Sequence, residues 1–239
     1  MEQKKIVLGY KGEIGNAIKK IFKSNIGIDI DKCEINNIEY ELNELNKIKW
    51  NNYECILHIT IPFTDNYIDI VEKQIKKINP KLTLIHTTCA SGTTRKLFEK
   101  TKLPIVHVPI NGKHPDVIDD IKNYTLFVGS IKESHGQMAC EYIEWHGLKT
   151  YLCESPEITE LSKIASTELI RVNIEFYQQM KEKIKEKNLN WAEFIAFMEK
   201  ILVNNPKYNV VYQRAGEIDT SFSKKHCIKN NEKIFRRNL

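Results

Sequence analysis

The sequence predicts an α/β fold, a mostly parallel sheet with helices on both faces, followed by a smaller all-helical segment. Three observations predict it. Short apolar runs rich in β-branched residues alternate with stretches of helical periodicity through the first two thirds of the chain. A glycine-spaced turn joins the first apolar run to the first helical stretch. Beyond Ser155 the pattern changes to long apolar stripes at helical spacing.

Residues 4–9 (KKIVLG) read as a buried strand, and Ile14, Ala17, Ile18 and Ile21 then recur at helical spacing. A second strand, 26–30, ends in acidic residues. Further strands are expected at 54–62, 81–88, 104–110, 124–129 and 149–153, with helices at 65–78 and 132–146 between them. Strand alternating with helix builds a parallel sheet, because each crossover lays a helix on one face. At Ser155-Pro156-Glu157 a long helix starts, with serine as N-cap, proline at the first helical position and an acid behind it. No glycine or proline interrupts before Asn188, so one helix of roughly thirty residues is expected. Leu161, Ala165, Leu169, Val172, Phe176, Met180 and Ile184 form one apolar stripe, and Ile164, Ile170, Ile174 and Tyr177 make the other side apolar too. A helix apolar on two sides is expected to be sandwiched between the sheet domain and another subunit, giving a homodimer through the 156–188 helix. A second helix, about 190–203, ends before Pro206. The expected domains are 1–153 and 154–239.

The chain has 239 residues and a net charge of +5, with 41% hydrophobic and 28% charged residues, which marks a folded globular protein rather than a disordered one. No apolar run approaches the ~18 residues that span a bilayer, and Met1-Glu-Gln-Lys-Lys leads straight into the first strand without a signal peptide. A cytoplasmic protein without membrane contact is expected. The mild charge does not call for nucleic acid. Only the tail is biased, with Lys224, Lys225, Lys229, Lys233, Arg236 and Arg237 against Glu232. It reads either as a solvated tail or as an anion-binding segment at a site mouth. Cysteines 33, 55, 89, 140, 153 and 227 are scattered without a C-x-x-C pair, which fits a reducing compartment and argues against a disulfide scaffold. No His, Cys or carboxylate pair shows ligand spacing, so no metal is expected.

The turn Gly9-Tyr10-Lys11-Gly12-Glu13-Ile14-Gly15 is G-x-x-G-x-x-G. One glycine makes the tight turn, one lets the backbone approach a pyrophosphate, and one allows close helix–strand packing, with the phosphates on the helix N-terminus. Asp29, or Asp31 as the alternative, stands at the end of the second strand, where a carboxylate accepts hydrogen bonds from the adenosine ribose. This is a Rossmann-like dinucleotide turn, and the acid favours NAD over NADP because it repels a 2′-phosphate. S-adenosylmethionine is the competing adenosyl ligand, and a tight turn without a ligand is the third reading.

With these residues in place, the sequence resembles the UDP-glucose/GDP-mannose dehydrogenase family and, more remotely, the β-hydroxyacid dehydrogenases. The likeness rests on VLGYKGEIG with Asp29, on Ile59-Thr-Ile-Pro62, on Thr87-Thr88-Cys-Ala-Ser-Gly-Thr-Thr94, and on Thr159-Glu-Leu-Ser-Lys163-Ile-Ala-Ser-Thr167. His226-Cys227-Ile228 is similar to that family's nucleophile segment. The resemblance implies a nicotinamide-dependent oxidation in which Cys227 attacks an aldehyde and Lys163 stabilises the oxyanion. Thr167 stands where the family has asparagine, and Pro62 and Thr88 line the cofactor. The helix itself places Lys163 and Thr167, four apart, on one face. That face lies about 200° from the Leu161 stripe.

The sequence departs from the family pattern in three places. Lys224 and Lys225 replace the glycines before the His-Cys pair. Pro109-Ile-Asn111-Gly-Lys113-His114-Pro115 replaces the acidic segment that assists hydrolysis, so Asn111, Lys113 and His114 are expected to bind or orient a polar substrate. Twelve residues follow Cys227, too few for the family's nucleotide-sugar domain, so a small hydroxylated or carbonyl substrate is expected in place of a full nucleotide sugar, with the basic tail facing either an anionic substrate or water. His114, in a loop after a strand, is the histidine expected to function in catalysis, whereas His86 and His107 read as core residues. The leading expectation is an NAD-dependent oxidoreductase working by hydride transfer, a shortened relative of nucleotide-sugar 6-dehydrogenases. The alternatives are an S-adenosylmethionine-dependent methyltransferase and a non-catalytic nucleotide-binding module.

Overall fold

The computed structural model describes residues 2–112, 117–202 and 232–235. The chain divides into two compact units, Met1–Lys163 and Ile164–Leu239. The first unit opens with β1 (Glu2–Leu8), α1 (Glu13–Ile21), β2 (Ile26–Ile28), β3 (Lys32–Ile35) and β4 (Ile38–Glu41). After two short 3₁₀ turns come β5 (Tyr53–Ile59), α2 (Tyr67–Ile78), β6 (Leu82–Ile85), α3 (Thr93–Thr101) and β7 (Ile105–His107). It closes with α4 (Val117–Asn123), β8 (Thr125–Ser130), α5 (Glu133–Trp145) and β9 (Lys149–Cys153), and then the start of α6 (Pro156–Glu186).

The strands form one sheet in the order β4-β3-β2-β1-β5-β6-β7-β8-β9. From β2 to β7 every neighbour is parallel, with Ile6 opposite both Ile26 and Leu57. β8 runs antiparallel to β7, and β9 follows β8 in parallel. Alternation along each strand supplies two apolar layers. Ile6, Leu8, Leu57 and Ile59 join Tyr67, Val71, Ile75 and Leu97 of α2 and α3 on one face. Val7, Ile56, Leu84 and Val106 join Ile18, Ile121, Ala139 and Ile143 of α1, α4 and α5 on the other. This is the Rossmann-like α/β architecture, built as a parallel sheet covered on both sides.

The hairpin β3–β4 is an addition that hydrophobic patterning did not reveal, because both strands are polar and β4 is exposed along its length. Its local signal is Asn36-Asn37, both left-handed at φ 52° and 67°, as a two-residue type I′ connection requires. The edge strand carries Glu39 and Glu41, charges that discourage pairing with another sheet.

In the second unit α6 continues without interruption to Glu186, and α7 spans Trp191–Leu202. Ile174, Tyr177 and Ile184 are buried, whereas Leu169, Val172 and Phe176 are 42%, 48% and 44% exposed. One of the two expected apolar sides is therefore open to solvent in the single chain. Arg171 bridges Glu168 and Glu175, one turn either side of it.

Candidate functional site

Two strands flank β1: chain order moves outward through β2 on one side and returns through β5 on the other. The crevice at their carboxyl ends is the topological switch point where open α/β sheets bind ligands. The glycine turn lies there, between β1 and α1. Gly9 has φ +93°, and a Cβ on it would stand 2.9 Å from Thr60 Oγ1 and 3.0 Å from the Ile61 nitrogen. A Cβ on Gly15 would fall 2.0 Å from the Gly9 carbonyl oxygen, so only hydrogen fits where α1 passes β1. Gly12 differs. Its φ of −67° suits any residue, and a Cβ there would meet only the Gly9 oxygen, at 3.3 Å. The fold needs glycine at 9 and 15, and it does not need one at 12.

The hydroxyl of Thr60 donates to the Leu8 carbonyl at 2.8 Å and lies 3.2 Å from that of Gly9, which fastens the turn to β5. Asp29 is brought to the turn: its carboxylate accepts the Lys11 amide at 3.0 Å and the Ile30 amide at 2.9 Å. Asp31 accepts the Lys11 ammonium, and that bond holds its carboxyl below the usual range. The Tyr10 ring is buried over Gly27, where a Cβ would lie 2.5 Å from it, and its hydroxyl donates to Glu39. Burial above all pushes the phenol up to about 12. Tyr10 thus gives the turn its backbone and the core its side chain. Ile14 is half-buried against the α1–α5 core, and Glu13 is exposed.

The residues present fit a dinucleotide. No side chain caps α1, the start of a helix is where backbone amides meet a phosphate, and the missing side chain at Gly12 opens the approach. Pro62 is exposed and Thr88 half-buried on the loops after β5 and β6. Those loops are tied together where the Thr87 hydroxyl donates to the Ile61 carbonyl at 2.8 Å.

At the same edge, beyond β7, Lys163 donates to Asn111 Oδ1 at 3.0 Å. The structure therefore brings together one residue expected to be catalytic and one expected to bind substrate. Thr167 lies one helical turn further along α6, in the second unit. Lys113, His114 and Cys227 lie outside the described residues, as do Lys224, Lys225 and the two arginines of the tail.

Sequence reading missed Glu160. It is fully buried, and its carboxylate accepts the Gly92 amide at 2.7 Å, the Thr94 amide at 2.9 Å and the Thr94 hydroxyl at 2.7 Å. Burial raises its pKa, against the pull of those donors. α3 starts at Gly92-Thr-Thr with a side-chain-free N-cap at φ 84°, so its first amides take an acceptor from a residue distant in sequence. Cys89 lies 3.8 Å from that carboxylate, and burial and the nearby charge push its thiol well up, which leaves it inert.

Three histidines are locked in the sheet. The Val108 carbonyl accepts from His86 Nδ1 at 2.8 Å, so His86 Nε2 must accept from His58 Nδ1 at 2.9 Å, and His58 Nε2 in turn accepts the Tyr142 hydroxyl. His107 donates from Nε2 to the Thr87 carbonyl and accepts the Thr159 hydroxyl at Nδ1. Burial pulls His86 down to about 4, His107 to about 3, and His58 well below its ordinary value. Among the described residues no group of three His, Cys, Asp or Glu side chains could hold a metal ion, and no helix is long and apolar enough to cross a membrane.

No protein-family model matches the chain, and no curated protein matches it in sequence. Solved structures do match in fold. The UDP-D-ManNAc dehydrogenase of Pyrococcus horikoshii superposes with a TM-score of 0.65 at 16% identity, covering 96% of this chain and 68% of that one. A UDP-glucose dehydrogenase from the archaeon Pyrobaculum islandicum gives 0.66 at 12% identity, covering 100% and 68%. The 3-hydroxyisobutyrate dehydrogenase of Mycobacterium tuberculosis gives 0.69 at 11% identity, covering 99% and 86%. This chain has the fold of these dehydrogenases. The resemblance carried by its short motifs thus extends to the architecture, from nucleotide-sugar dehydrogenases to a hydroxyacid dehydrogenase.

Proposed function

We propose that the protein is a nicotinamide-dependent oxidoreductase, using NAD, that acts on a small hydroxylated or carbonyl substrate. The observation that carries this reading is Gly12. It is a glycine that neither backbone conformation nor packing demands, set at the uncapped start of α1 in the switch-point crevice. The dehydrogenase fold of the chain's structural neighbours supports it.

The dinucleotide supplies the hydride donor or acceptor. The first amides of α1 would hold the pyrophosphate, and the Asp29 carboxylate would accept the ribose hydroxyls. Two carboxylates at that edge, Asp29 and Asp31, repel a 2′-phosphate, which selects NAD over NADP. Pro62 and Thr88 line the cofactor side. Lys163 donates to the substrate oxygen and stabilises the negative charge that develops there, while Asn111 orients the ammonium. Thr167, Lys113 and His114 are assigned to substrate or water, and Cys227 to a covalent role in the same reaction. The exposed stripe of Leu169, Val172 and Phe176 is assigned to a homodimer contact, and the cytoplasm to the protein's setting.

Thermal unfolding with NAD, NADP and S-adenosylmethionine in parallel tests the reading. NAD is expected to raise the midpoint most. A rise with S-adenosylmethionine alone overturns it in favour of a methyltransferase, and NAD binding without turnover of any hydroxylated or carbonyl compound points to a non-catalytic module.

A further inference from the structure

We propose that a second ligand site, built for a phosphate group, lies at the far end of α1 from the glycine turn. Lys19, Lys20 and Lys23 at the end of that helix, Ser24 and Asn25 leading into β2, and the β3–β4 hairpin tip at Asn36 and Asn37 line an open groove of about 370 Å³. Many of its acceptors are already used: the carbonyls of Ile18, Lys19 and Lys20 receive the amides of Phe22, Ser24 and Lys23. Phe22 O receives the Lys5 ammonium, Asn25 O receives the Asn36 amide, and Asn25 Oδ1 receives the Lys5 amide.

The donors are left over. Ser24 is 6% exposed, and its hydroxyl is buried with no hydrogen-bond partner. Native proteins leave few buried polar side-chain groups unpaired, so this one calls for an explanation. Lys19 is neutralised by Glu34 and also donates to Asn37 Oδ1 at 3.2 Å. Among the described residues Lys20 and Lys23 make no ion pair. The Lys5 ammonium nearby is held below its usual pKa by burial first and then by the charge of Lys23. Two unpaired ammoniums, a dry hydroxyl and asparagine amides make a donor set for an oxyanion of more than one charge, which can accept several charge-assisted bonds at once. The site stands apart from the dinucleotide turn and does not depend on it.

The test is a titration of the ¹⁵N-labelled full chain with inorganic phosphate at constant ionic strength, with chloride as the comparison. Phosphate is expected to give saturable amide shifts at Lys23–Asn25 and Asn36–Asn37, with affinity falling at least ~10-fold in the K20A/K23A double variant. Ser24→Ala removes a hydroxyl without a protein partner, so the ligand-free variant is expected to unfold at the same temperature or higher, while phosphate raises its midpoint less than that of the wild type. Shifts confined to the glycine turn, equal responses to chloride, or undiminished phosphate binding in the variants overturn the proposal.

Discussion

Replacing Gly12 and Gly15 separately by alanine divides the two tasks of the glycine turn. At Gly15 the new methyl would sit 2.0 Å from the Gly9 oxygen and 2.9 Å from Thr60 Oγ1, so backbone must move where α1 crosses β1. Overpacking of that kind costs ~2–4 kcal/mol, the upper part of the usual range because the obstacle is main chain. For a chain of this size that lowers the unfolding midpoint by roughly 4–16 °C. At Gly12 the methyl meets one oxygen at 3.3 Å, and a shift of a few tenths of an ångström relieves it. With φ at −67° the loss of unfolded-state entropy favours alanine, so stability should stay within ~1 kcal/mol of wild type. NAD affinity is nonetheless expected to fall at least ~10-fold, because the methyl occupies the path of the pyrophosphate. Chemical denaturation and NAD titration on both variants check this. A Gly12→Ala protein that binds NAD as well as wild type rules out this division of tasks, as does a Gly15→Ala protein of unchanged stability.

Stability should fall on acidification. Below the ordinary histidine value of 6.5 the unfolded chain takes up protons that folded His86 and His107 refuse until about pH 4 and 3. At pH 5 the two together cost about 4 kcal/mol relative to pH 7, and denaturation curves that coincide at the two pH values contradict the locked-histidine description. Glu160→Ala strands the amides of Gly92 and Thr94 at the start of α3 and is expected to cost about 3 kcal/mol, read from the denaturation midpoint; a change below ~0.5 kcal/mol would show that the carboxylate is not the cap. Phe176→Glu puts a charge in the exposed stripe of α6. Sedimentation should show a wild-type dimer and a variant monomer, and a monomeric wild type rejects the homodimer assignment.

The parallel sheet and its helices were legible because buried strands carry unbroken β-branched runs and the crossover helices keep their period. The β3–β4 hairpin was not, since its strands are polar and only Asn36-Asn37 marks the turn. At the site, Gly9, Gly15 and Asp29 could be read from spacing alone. Thr60 and Glu160 could not, because each acts on backbone far away in sequence: Thr60 on Leu8, Glu160 on Gly92 and Thr94. Tyr10 looked like a loop residue by position, yet the absence of a side chain at Gly27 lets its ring enter the core. The apolar stripe of α6 read as buried, since periodicity shows that a face is apolar and cannot show what covers it.

In the proposed reading the glycine turn, with Asp29, holds a nicotinamide dinucleotide. Titration of NADH followed by its nicotinamide fluorescence tests this, with wild type and Asp29→Ala side by side. A saturable change with a dissociation constant below ~1 mM, weakened at least ~10-fold by Asp29→Ala, is the expected result. No saturable change in the wild type, or equal binding by the two proteins, would contradict it.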